Sequence, residues 1–360
     1  MYDCDFPEME LDGYIRHLRD DAYDKKIPFK GVFELTPRCN FNCNMCYVHL
    51  KPEEMPAVGK EFTADEWIRI AREAQRSGTL ELTLTGGEPF VRQDFREIYE
   101  AVHDMGFLIQ IFSNGYMIDE ETVRWLKKRP PRTMRFTLYG ASDESYEKVC
   151  GIKGGFTKVK HSVRLLKEAG IPLYLVATLT KENEQDIDDI YRFAFQNRLP
   201  ITHTSSLINP VRGATADAKA HQLARELPPT EVIRQIRERN KGRYPRKPCT
   251  DFLEVCNNYR RGYWVTWNGK MQLCAFLTEP SVPVSPGTFL QSWKELLDEL
   301  SSLRQPVQCE TCKYERYCER CPGVLYAETG ENGIVTEEYC RQAEFNYLLY
   351  GKPIEEMHES

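Results

Sequence analysis

Three cysteines in one short stretch are the residues of this sequence that are best suited to chemistry. Cys39, Cys43 and Cys46 fall within C39-N-F-N-C-N-M-C46. Thiolates at this spacing predict metal binding, yet a closed tetrahedral site needs a fourth ligand. One interpretation is zinc with His49 as that ligand, and another is an iron–sulfur cluster that leaves one iron open to bind something else.

A second set of cysteines lies late in the chain. It comprises Cys249, Cys256, Cys274, Cys309, Cys312, Cys318, Cys321 and Cys340. In a reducing compartment, clustered cysteines indicate metal binding or catalysis rather than disulfides. A zinc ribbon built from two Cys-x2-Cys pairs is an alternative, but it would leave four of the eight without a role. We expect Cys4 to be incidental and Cys150 to be a buried, inert thiol.

Composition limits the classes of function. The 360 residues carry a net charge of −6 with a pI of about 5.8, which argues against a nucleic-acid partner bound through phosphates. No window approaches the ~18 consecutive apolar residues of a membrane span, and the acidic start is no signal peptide. We therefore expect a cytoplasmic protein with one large core and a smaller appendage.

Strands and helices alternate through the first half of the chain, which predicts a parallel α/β sheet. Thr63 and Glu66 read as a capping box, and further helices are predicted at 94–105, 158–169 and 186–197. Six strand–helix units are too few to close an eight-stranded barrel, so we expect an open, partial (β/α)6 barrel. The candidate strands are 32–36, 80–85, 107–112, 134–139, 172–180 and 200–206.

Polar motifs follow these strands one after another. The cysteine triad follows the first strand, G86-G-E-P89 the second, and S113-N-G115 the third. Tyr139 ends the fourth strand, and Leu179 lies near the end of the fifth. Parallel sheets gather their active sites at the carboxyl ends of the strands, so we expect these motifs to converge.

The sequence suggests five segments. A small segment dense in cysteine and poor in apolar runs is expected to be held together by metal rather than by a core. The segments are an N-terminal helical extension (1–30), the partial barrel (31–206), a polar linker (207–248), a cysteine-rich domain (249–342) and a C-terminal tail (343–360).

The early motifs resemble those of the radical S-adenosylmethionine (radical SAM) superfamily, in which Cys-x3-Cys-x2-Cys follows the first strand and GGEP the second. The resemblance implies a [4Fe–4S] cluster on the triad, with S-adenosylmethionine on the open iron as the source of a 5′-deoxyadenosyl radical. It also implies an apolar position at Met45 and contacts to S-adenosylmethionine. The implied contacts are Gly86, Gly87, Glu88 and Pro89 to the methionine part, Ser113 and Asn114 near the ribose, and Leu179 against the adenine.

The late cysteines resemble the SPASM extension of peptide-modifying radical enzymes, which implies two more [4Fe–4S] clusters. By that pattern Cys249, Cys256, Cys274 and Cys321 hold auxiliary cluster I, and Cys309, Cys312, Cys318 and Cys340 hold auxiliary cluster II. Two residues separate Cys318 from Cys321 where the family usually has three. This departure leaves the partition of these two cysteines open.

Other polar residues give weaker signals. Glu34 alternates with Phe33 and Leu35, so it is a candidate for the barrel interior, where a carboxylate needs a partner. Tyr139 and Cys150 are catalytic candidates on position alone. His49 and His203 fit hydrogen-bonded structural histidines.

The leading hypothesis is an oxidoreductase that matures a ribosomally synthesised precursor peptide by forming a thioether or carbon–carbon crosslink. Its expected electron donor is a low-potential flavodoxin or ferredoxin. Some thirty residues before the first strand are too few for a winged-helix leader-binding domain, which predicts a separate leader-binding protein or a role for the linker.

Three alternatives stay open. One is sulfatase-type formylglycine maturation, although Ala275 stands where those relatives carry an Asp. The second is oxidation of a small molecule or tetrapyrrole, and the third is a non-catalytic iron–sulfur scaffold.

Overall fold

A single nine-stranded sheet organises the chain. The computed structural model describes residues 11–224, 230–239, 241–242, 244–246 and 252–353. The sheet order is β6-β5-β4-β3-β2-β1-β7-β8-β9, in which β1 to β7 are parallel to one another and the β7–β8 and β8–β9 pairs are antiparallel. The strands are β1 (Lys30–Glu34), β2 (Glu81–Thr85), β3 (Leu108–Ser113), β4 (Thr133–Leu138), β5 (Leu173–Thr178), β6 (Ile201–Thr204), β7 (Gly262–Val265), β8 (Lys270–Gln272) and β9 (Val282–Pro283).

Helices form the crossovers between the parallel strands, as the alternating pattern predicts. The α-helices are α1 (Leu11–Lys25), α2 (Met55–Val58), α3 (Ala64–Arg76), α4 (Phe95–Asp104), α5 (Glu120–Lys128), α6 (Asp143–Cys150), α7 (Gly155–Glu168), α8 (Ile187–Gln196), α9 (Thr230–Arg239), α10 (Phe289–Ser301), α11 (Pro322–Thr329) and α12 (Glu337–Tyr350). Single 3₁₀ turns occur at Pro89–Val91, Glu184–Asp186, Ala218–His221, Phe252–Val255, Val307–Cys309 and Glu315–Tyr317. None of the helices in the described ranges is long and apolar enough to cross a membrane.

The core lies between the sheet and these helices. Phe33 on β1 is fully buried and its ring lies 4.8 Å from that of Trp67 on α3. Helix α3 begins at the predicted capping box, because Thr63 Oγ1 accepts from the Glu66 N–H at 3.3 Å and Glu66 Oε2 accepts from the Thr63 N–H at 2.8 Å. The predicted α/β class with a mostly parallel sheet is confirmed, and each of the first six strands begins and ends within two residues of its predicted bounds.

The sheet continues beyond the six predicted strands. β7 pairs with β1 in parallel register, with Val32 opposite Trp264, so the cysteine-rich part of the chain adds three strands to the edge of the barrel. Helix α10 covers this extension, and the Trp293 indole donates to the Lys26 carbonyl at 2.8 Å. At the other end of the chain, α12 runs through residue 342 without a break.

Candidate active site

The cysteine triad sits on a loop that the carboxyl end of α6 holds in place. The backbone N–H of Asn42 donates to the carbonyl of Cys150 at 2.9 Å, and that of Asn44 donates to the carbonyl of Val149 at 3.0 Å. These two bonds use carbonyls at the end of a helix that would otherwise lack partners. The triad therefore has a fixed support that lies about a hundred residues away in sequence.

Hydrogen bonds reach each sulfur of the triad. The N–H of Phe41 donates to Cys39 Sγ at 3.4 Å, and the N–H of His49 donates to Cys46 Sγ at 3.3 Å. The Cys43 thiol is hydrogen-bonded to Cys150 and to Tyr139. The bonds from the two backbone N–H groups and from Tyr139 stabilise negative charge on sulfur, as is typical of thiolates that hold an iron–sulfur cluster. The bond to Cys150 instead favours the protonated thiol of Cys43.

Burial keeps these thiols protonated in the metal-free protein. It raises the pKa of Cys39 above its usual range and that of Cys46 to about 11. For Cys43 the hydrogen bond to Cys150 comes first and burial second, and together they raise its pKa strongly. Three adjacent thiols can become thiolates here only when a cationic group compensates the charge.

The Gly86–Gly87 turn lies directly against the segment that leads to Cys39. The Gly87 N–H donates to the Thr36 carbonyl at 2.7 Å, and the Glu88 N–H donates to the Arg38 carbonyl at 2.9 Å. A Cβ atom on Gly87 would lie 2.5 Å from the Arg38 carbonyl oxygen and 2.7 Å from that of Pro37. Since both neighbours are backbone, only glycine allows the two loops to approach this closely.

Glu88 joins the second and third strand ends. Its carboxylate accepts from Ser113 Oγ at 3.0 Å and from the Asn114 N–H at 2.7 Å. Burial raises the pKa of Glu88 to about 7, although these hydrogen bonds oppose the shift. Asn114 in turn donates to Asn40 Oδ1 at 2.8 Å and lies 3.7 Å from Cys39 Sγ. The motifs after β1, β2 and β3 thus converge, as expected.

The remaining predicted site residues lie in different parts of the structure. Met45 and Leu179 are buried in the main core, and Pro89 is the first residue of a 3₁₀ turn. Tyr139 lies with its ring 6.2 Å from that of Phe41, on the triad side of the sheet. His203 lies apart on β6, where its Nδ1 is hydrogen-bonded to the hydroxyl of Tyr191. Their assigned roles stay predictions.

A buried ion pair supplies the partner that Glu34 needs. Arg212 donates to Glu34 Oε2 at 2.7 Å, and the Trp264 indole donates to the same oxygen at 3.0 Å. Arg212 also donates to the carbonyl of Ala275 at 2.6 Å. Arg212 and Trp264 were not among the predicted residues, because nothing local in the linker or on β7 marks them as partners of a strand-end carboxylate.

Asn183 was also missed as a structural residue. It is fully buried, and its side-chain amide donates to the Tyr139 carbonyl at 2.9 Å and to the Thr178 carbonyl at 2.8 Å. It therefore ties the ends of β4 and β5 together beside the site. Its position just after a predicted strand was the available signal.

The late cysteines form two groups in the structure. Burial raises the pKa of Cys274 to about 12, and nearby Cys321 and Cys256 add to the shift. A Cβ on Gly323 would lie 2.9 Å from Cys274 Sγ, which shows how closely the start of α11 approaches this group. The second group lines one cavity and comprises Cys309, Cys312, Cys318 and Cys340. Cys249 lies outside the described residues.

The backbone at Arg320 separates the two groups. Arg320 has a φ of 44°, in the left-handed region that residues other than glycine rarely adopt. It stands between Cys318 and Cys321, which belong to different groups although only two residues separate them. The Arg320 side chain is buried and donates to Glu315 Oε1 at 2.9 Å. Cys318 lies with Cys309, Cys312 and Cys340, and Cys321 lies near Cys256 and Cys274, while the partition between clusters and the ligand assignments stay predictions.

The donors in these groups are of the kind that hold an iron–sulfur cluster. Within the described ranges, no three His, Cys, Asp or Glu side chains come together as ligands of one metal ion. A four-iron cluster takes one thiolate at each iron and so spreads its ligands further apart than a single tetrahedral ion does. Beside the triad, Asn40 Nδ2 is buried without a hydrogen-bond partner among the described residues. The residues therefore fit a cluster with a bound cofactor.

Comparisons with known proteins agree with this geometry. Residues 33–194 match the model of the radical SAM superfamily. The PqqA peptide cyclase of Granulibacter bethesdensis is 31% identical over 160 residues, which are 44% of this chain and 42% of that protein. The AdoMet-dependent heme synthase of Methanosarcina barkeri is 24% identical over 345 residues, which are 86% of this chain and 95% of that protein.

The solved structures give the same fold. The structure of Streptococcus suis SuiB bound to precursor peptide SuiA superimposes with a TM-score of 0.64 at 17% identity, over 95% of this chain and 84% of that one. At this identity the likeness concerns the fold. The family match covers the triad, the Gly86–Gly87 turn and the Ser113–Asn114 turn together. Residues 33–194 are therefore similar to a radical SAM domain.

Proposed function

We propose that this protein is a radical SAM enzyme that modifies a ribosomally synthesised peptide, forming a thioether or carbon–carbon crosslink. A radical SAM domain implies S-adenosylmethionine and at least one [4Fe–4S] cluster, which together supply a 5′-deoxyadenosyl radical that abstracts hydrogen. The observation that carries the proposal is the convergence of three strand ends on one open set of thiols. Asn114 contacts Asn40 and lies 3.7 Å from Cys39 Sγ, while Glu88 binds the Asn114 backbone.

The residues of the chain have distinct tasks in this proposal. Cys39, Cys43 and Cys46 hold the cluster, and the N–H donors to Cys39 and Cys46 and the Tyr139 bond to Cys43 stabilise the thiolate form. The Gly86–Gly87 turn packs directly against the backbone that leads to Cys39, because no side chain projects between the two loops. Glu88 fixes the position of the Ser113–Asn114 turn against the triad loop.

We further propose that the two late cysteine groups hold auxiliary clusters, for three [4Fe–4S] clusters in all. Burial raises the pKa of Cys309 and of Cys318 to about 11, as it does for Cys46 of the triad. The same physical argument therefore applies to all three groups, since buried neighbouring thiols need a cation to ionise.

A peptide substrate is supported by the names of relatives. One is a PqqA peptide cyclase, and one structural neighbour was solved with a precursor peptide bound. We propose a low-potential flavodoxin or ferredoxin as the electron donor and a separate leader-binding protein as a partner. The described cysteines are free thiols, which suits a reducing cytoplasm.

The test is anaerobic turnover with short peptides encoded beside the gene, followed by mass spectrometry and measurement of 5′-deoxyadenosine. A peptide that loses two hydrogen masses per crosslink and stimulates 5′-deoxyadenosine formation supports the proposal. The triple variant Cys39→Ala, Cys43→Ala, Cys46→Ala must abolish both signals. The proposal is contradicted if no peptide stimulates 5′-deoxyadenosine formation and another class of substrate does.

A second candidate function is tetrapyrrole side-chain oxidation. The match to the heme synthase spans 95% of that protein, whereas the peptide cyclase match spans 42% of its protein. The same 5′-deoxyadenosine assay separates the two candidates when a porphyrin replaces the peptide. Porphyrin-dependent 5′-deoxyadenosine formation favours this candidate over the peptide.

A further inference from the structure

One large cavity lies outside the site described above, between the free edge of the sheet and the C-terminal helices. It has a volume of 790 Å³, within the range typical of ligand sites, and β6 forms one wall of it. The opposite wall includes Tyr339 and Tyr350 of α12 and Cys321 at the start of α11. No role has been given to this cavity so far.

The wall formed by β6 is the outer edge of the sheet, so backbone N–H and carbonyl groups of this strand face the cavity. β6 is the outermost strand of the sheet and pairs only with β5 among the described strands. The bonds at the two ends of this ladder run from the Leu175 N–H to the Pro200 carbonyl at 2.9 Å and from the Leu179 N–H to the Thr204 carbonyl at 2.8 Å.

The alternation of a parallel ladder then determines which groups face outward. Pro200 and Thr204 bond to β5, and a parallel ladder uses the backbone of every second residue of a strand. Thr202, midway between them, therefore also bonds to β5. The N–H and carbonyl groups of Ile201 and His203 therefore point away from β5, and both residues line the cavity. Unpaired edge groups of this kind are complementary to the backbone of an added strand.

We propose that this cavity binds an extended segment of the peptide substrate as an additional strand along β6. This inference rests on the proposed peptide-modifying function and names the place where the peptide is recognised. Main-chain bonds to Ile201 and His203 would supply affinity, while the aromatic wall would take alternate side chains. Tyr244 and Tyr350 in that wall are stacked with ring centroids 4.8 Å apart, so their faces are preorganised.

The charges in the cavity favour a peptide with a basic residue. Lys219 lies 3.0 Å from Glu328 and 3.6 Å from Glu338, so one ammonium is shared by two carboxylates. All three residues line the cavity. The excess of negative charge therefore favours a Lys or Arg in the bound segment over an Asp or Glu.

The position of the cavity connects peptide binding to the proposed hydrogen abstraction. β6 runs parallel to β1, so its Thr204 end lies at the same edge of the sheet as the triad. The cavity also reaches Cys321, a proposed ligand of auxiliary cluster I. The peptide residues next to a segment bound along β6 would therefore lie near the carboxyl end of the barrel, where hydrogen abstraction is proposed.

The test uses the full chain, reconstituted with iron and sulfide, and an mRNA-displayed library of random 12-residue peptides. Affinities of enriched peptides are measured by fluorescence anisotropy on wild type and on two variants of one residue. His203→Pro removes an outward N–H and leaves the N–H groups of Thr202 and Thr204 in the β5 ladder. His203→Ala removes only the side chain and is the matched control.

We expect His203→Pro to weaken binding about tenfold or more, and His203→Ala to leave the dissociation constant within about twofold. We also expect replacement of Lys or Arg by Glu in an enriched peptide to weaken binding. No enrichment, or equal binding by both variants, overturns the proposal. Iron content, which should match wild type, establishes that each variant is folded.

Hydrogen exchange on the wild-type protein is a second test of strand addition, and it does not require that His203→Pro folds. The amides of Ile201 and His203 should exchange rapidly in the free protein and slowly with an enriched peptide. Slow exchange without peptide, or rapid exchange with it, contradicts strand addition. A wild-type dimer in sedimentation velocity that the proline variant dissociates assigns the edge to a second copy and also overturns the proposal.

These measurements do not depend on turnover, so the two proposals can fail separately. Peptides that bind the β6 edge but are never modified, while porphyrin is turned over, contradict the proposed function alone. A peptide that His203→Pro modifies as efficiently as wild type contradicts the docking site alone.

Discussion

Arg212 donates from Nη2 to Oε2 of Glu34 over 2.7 Å, joining the end of β1 to a segment 178 residues further along the chain. Both side chains are largely buried, with exposed fractions of 8% and 1%. Burial raises the pKa of Glu34, while Arg212 and the Trp264 indole oppose the shift. The pair thus holds the linker and β7 against the inner face of the barrel.

Removing one partner of this pair should be costly. We expect Arg212→Met to lower the free energy of unfolding by about 3–5 kcal/mol, because it leaves the Glu34 carboxylate buried without its partner. The measurement is urea unfolding of the metal-free protein. The double variant Glu34→Gln, Arg212→Met completes a double-mutant cycle, and it should be less destabilised than the sum of the single variants. Additive effects would show that the two residues are not coupled.

The Gly86–Gly87 turn should tolerate no side chain. Gly87→Ala places a Cβ 2.5 Å from a backbone oxygen of Arg38, so the turn or the triad loop must move. We expect at least a tenfold loss of affinity for S-adenosylmethionine, measured by equilibrium dialysis on reconstituted protein. Gly170→Ala is the control, because Gly170 has a φ of 73° but no atom within 4 Å of its Cβ position. It should lower stability by about 1 kcal/mol and leave binding unchanged.

The early half of the chain could be predicted because its signals are local. Strand–helix alternation, the capping box at Thr63 and the motifs that follow each strand are all read within a few residues, and the structure reproduces them. The meeting of Glu88 with Asn114 follows from the topology of a parallel sheet.

The later half was harder to predict because its contacts are between distant segments. β7 belongs to the barrel sheet only through pairing with β1, more than two hundred residues earlier, and its four residues give no periodic signal. Arg212 finds Glu34 through the path of the linker, which no spacing in the sequence determines. The left-handed backbone at Arg320 is likewise a property of the folded cysteine groups rather than of a favourable residue type.

Iron content distinguishes cluster cysteines from the buried thiol beside them. Three [4Fe–4S] clusters predict about 12 irons in the wild-type chain, and Cys309→Ala should remove about four of them. Cys150→Ala is the matched control, since Cys150 is fully buried and contacts Cys43 but is not a proposed ligand. It should retain all of the iron. The measurement is iron and sulfide analysis after anaerobic reconstitution, and loss of iron on changing Cys150 would show that its contact with Cys43 is needed to hold a cluster.

Glu88 should give the metal-free protein a pH-dependent stability. Its pKa is about 7 in the folded protein and 4.5 as its ordinary value, because burial disfavours the charged form. Below pH 4.5 both states are protonated and the contribution of the neutral carboxyl is fully present. Between pH 4.5 and 7 the unfolded chain releases its proton first, so this contribution is lost as the pH rises through the folded pKa.

Wild type should therefore lose on the order of 1–3 kcal/mol between pH 5 and pH 8 relative to Glu88→Gln, which has no proton to release. Urea unfolding of the metal-free proteins across this range measures the difference. Glu121→Gln on α5 changes an exposed carboxylate and should keep the wild-type slope. Parallel curves for wild type and Glu88→Gln would contradict the raised pKa. They would mean that the hydrogen bonds from Ser113 and Asn114 fully offset the cost of burying a charge at Glu88.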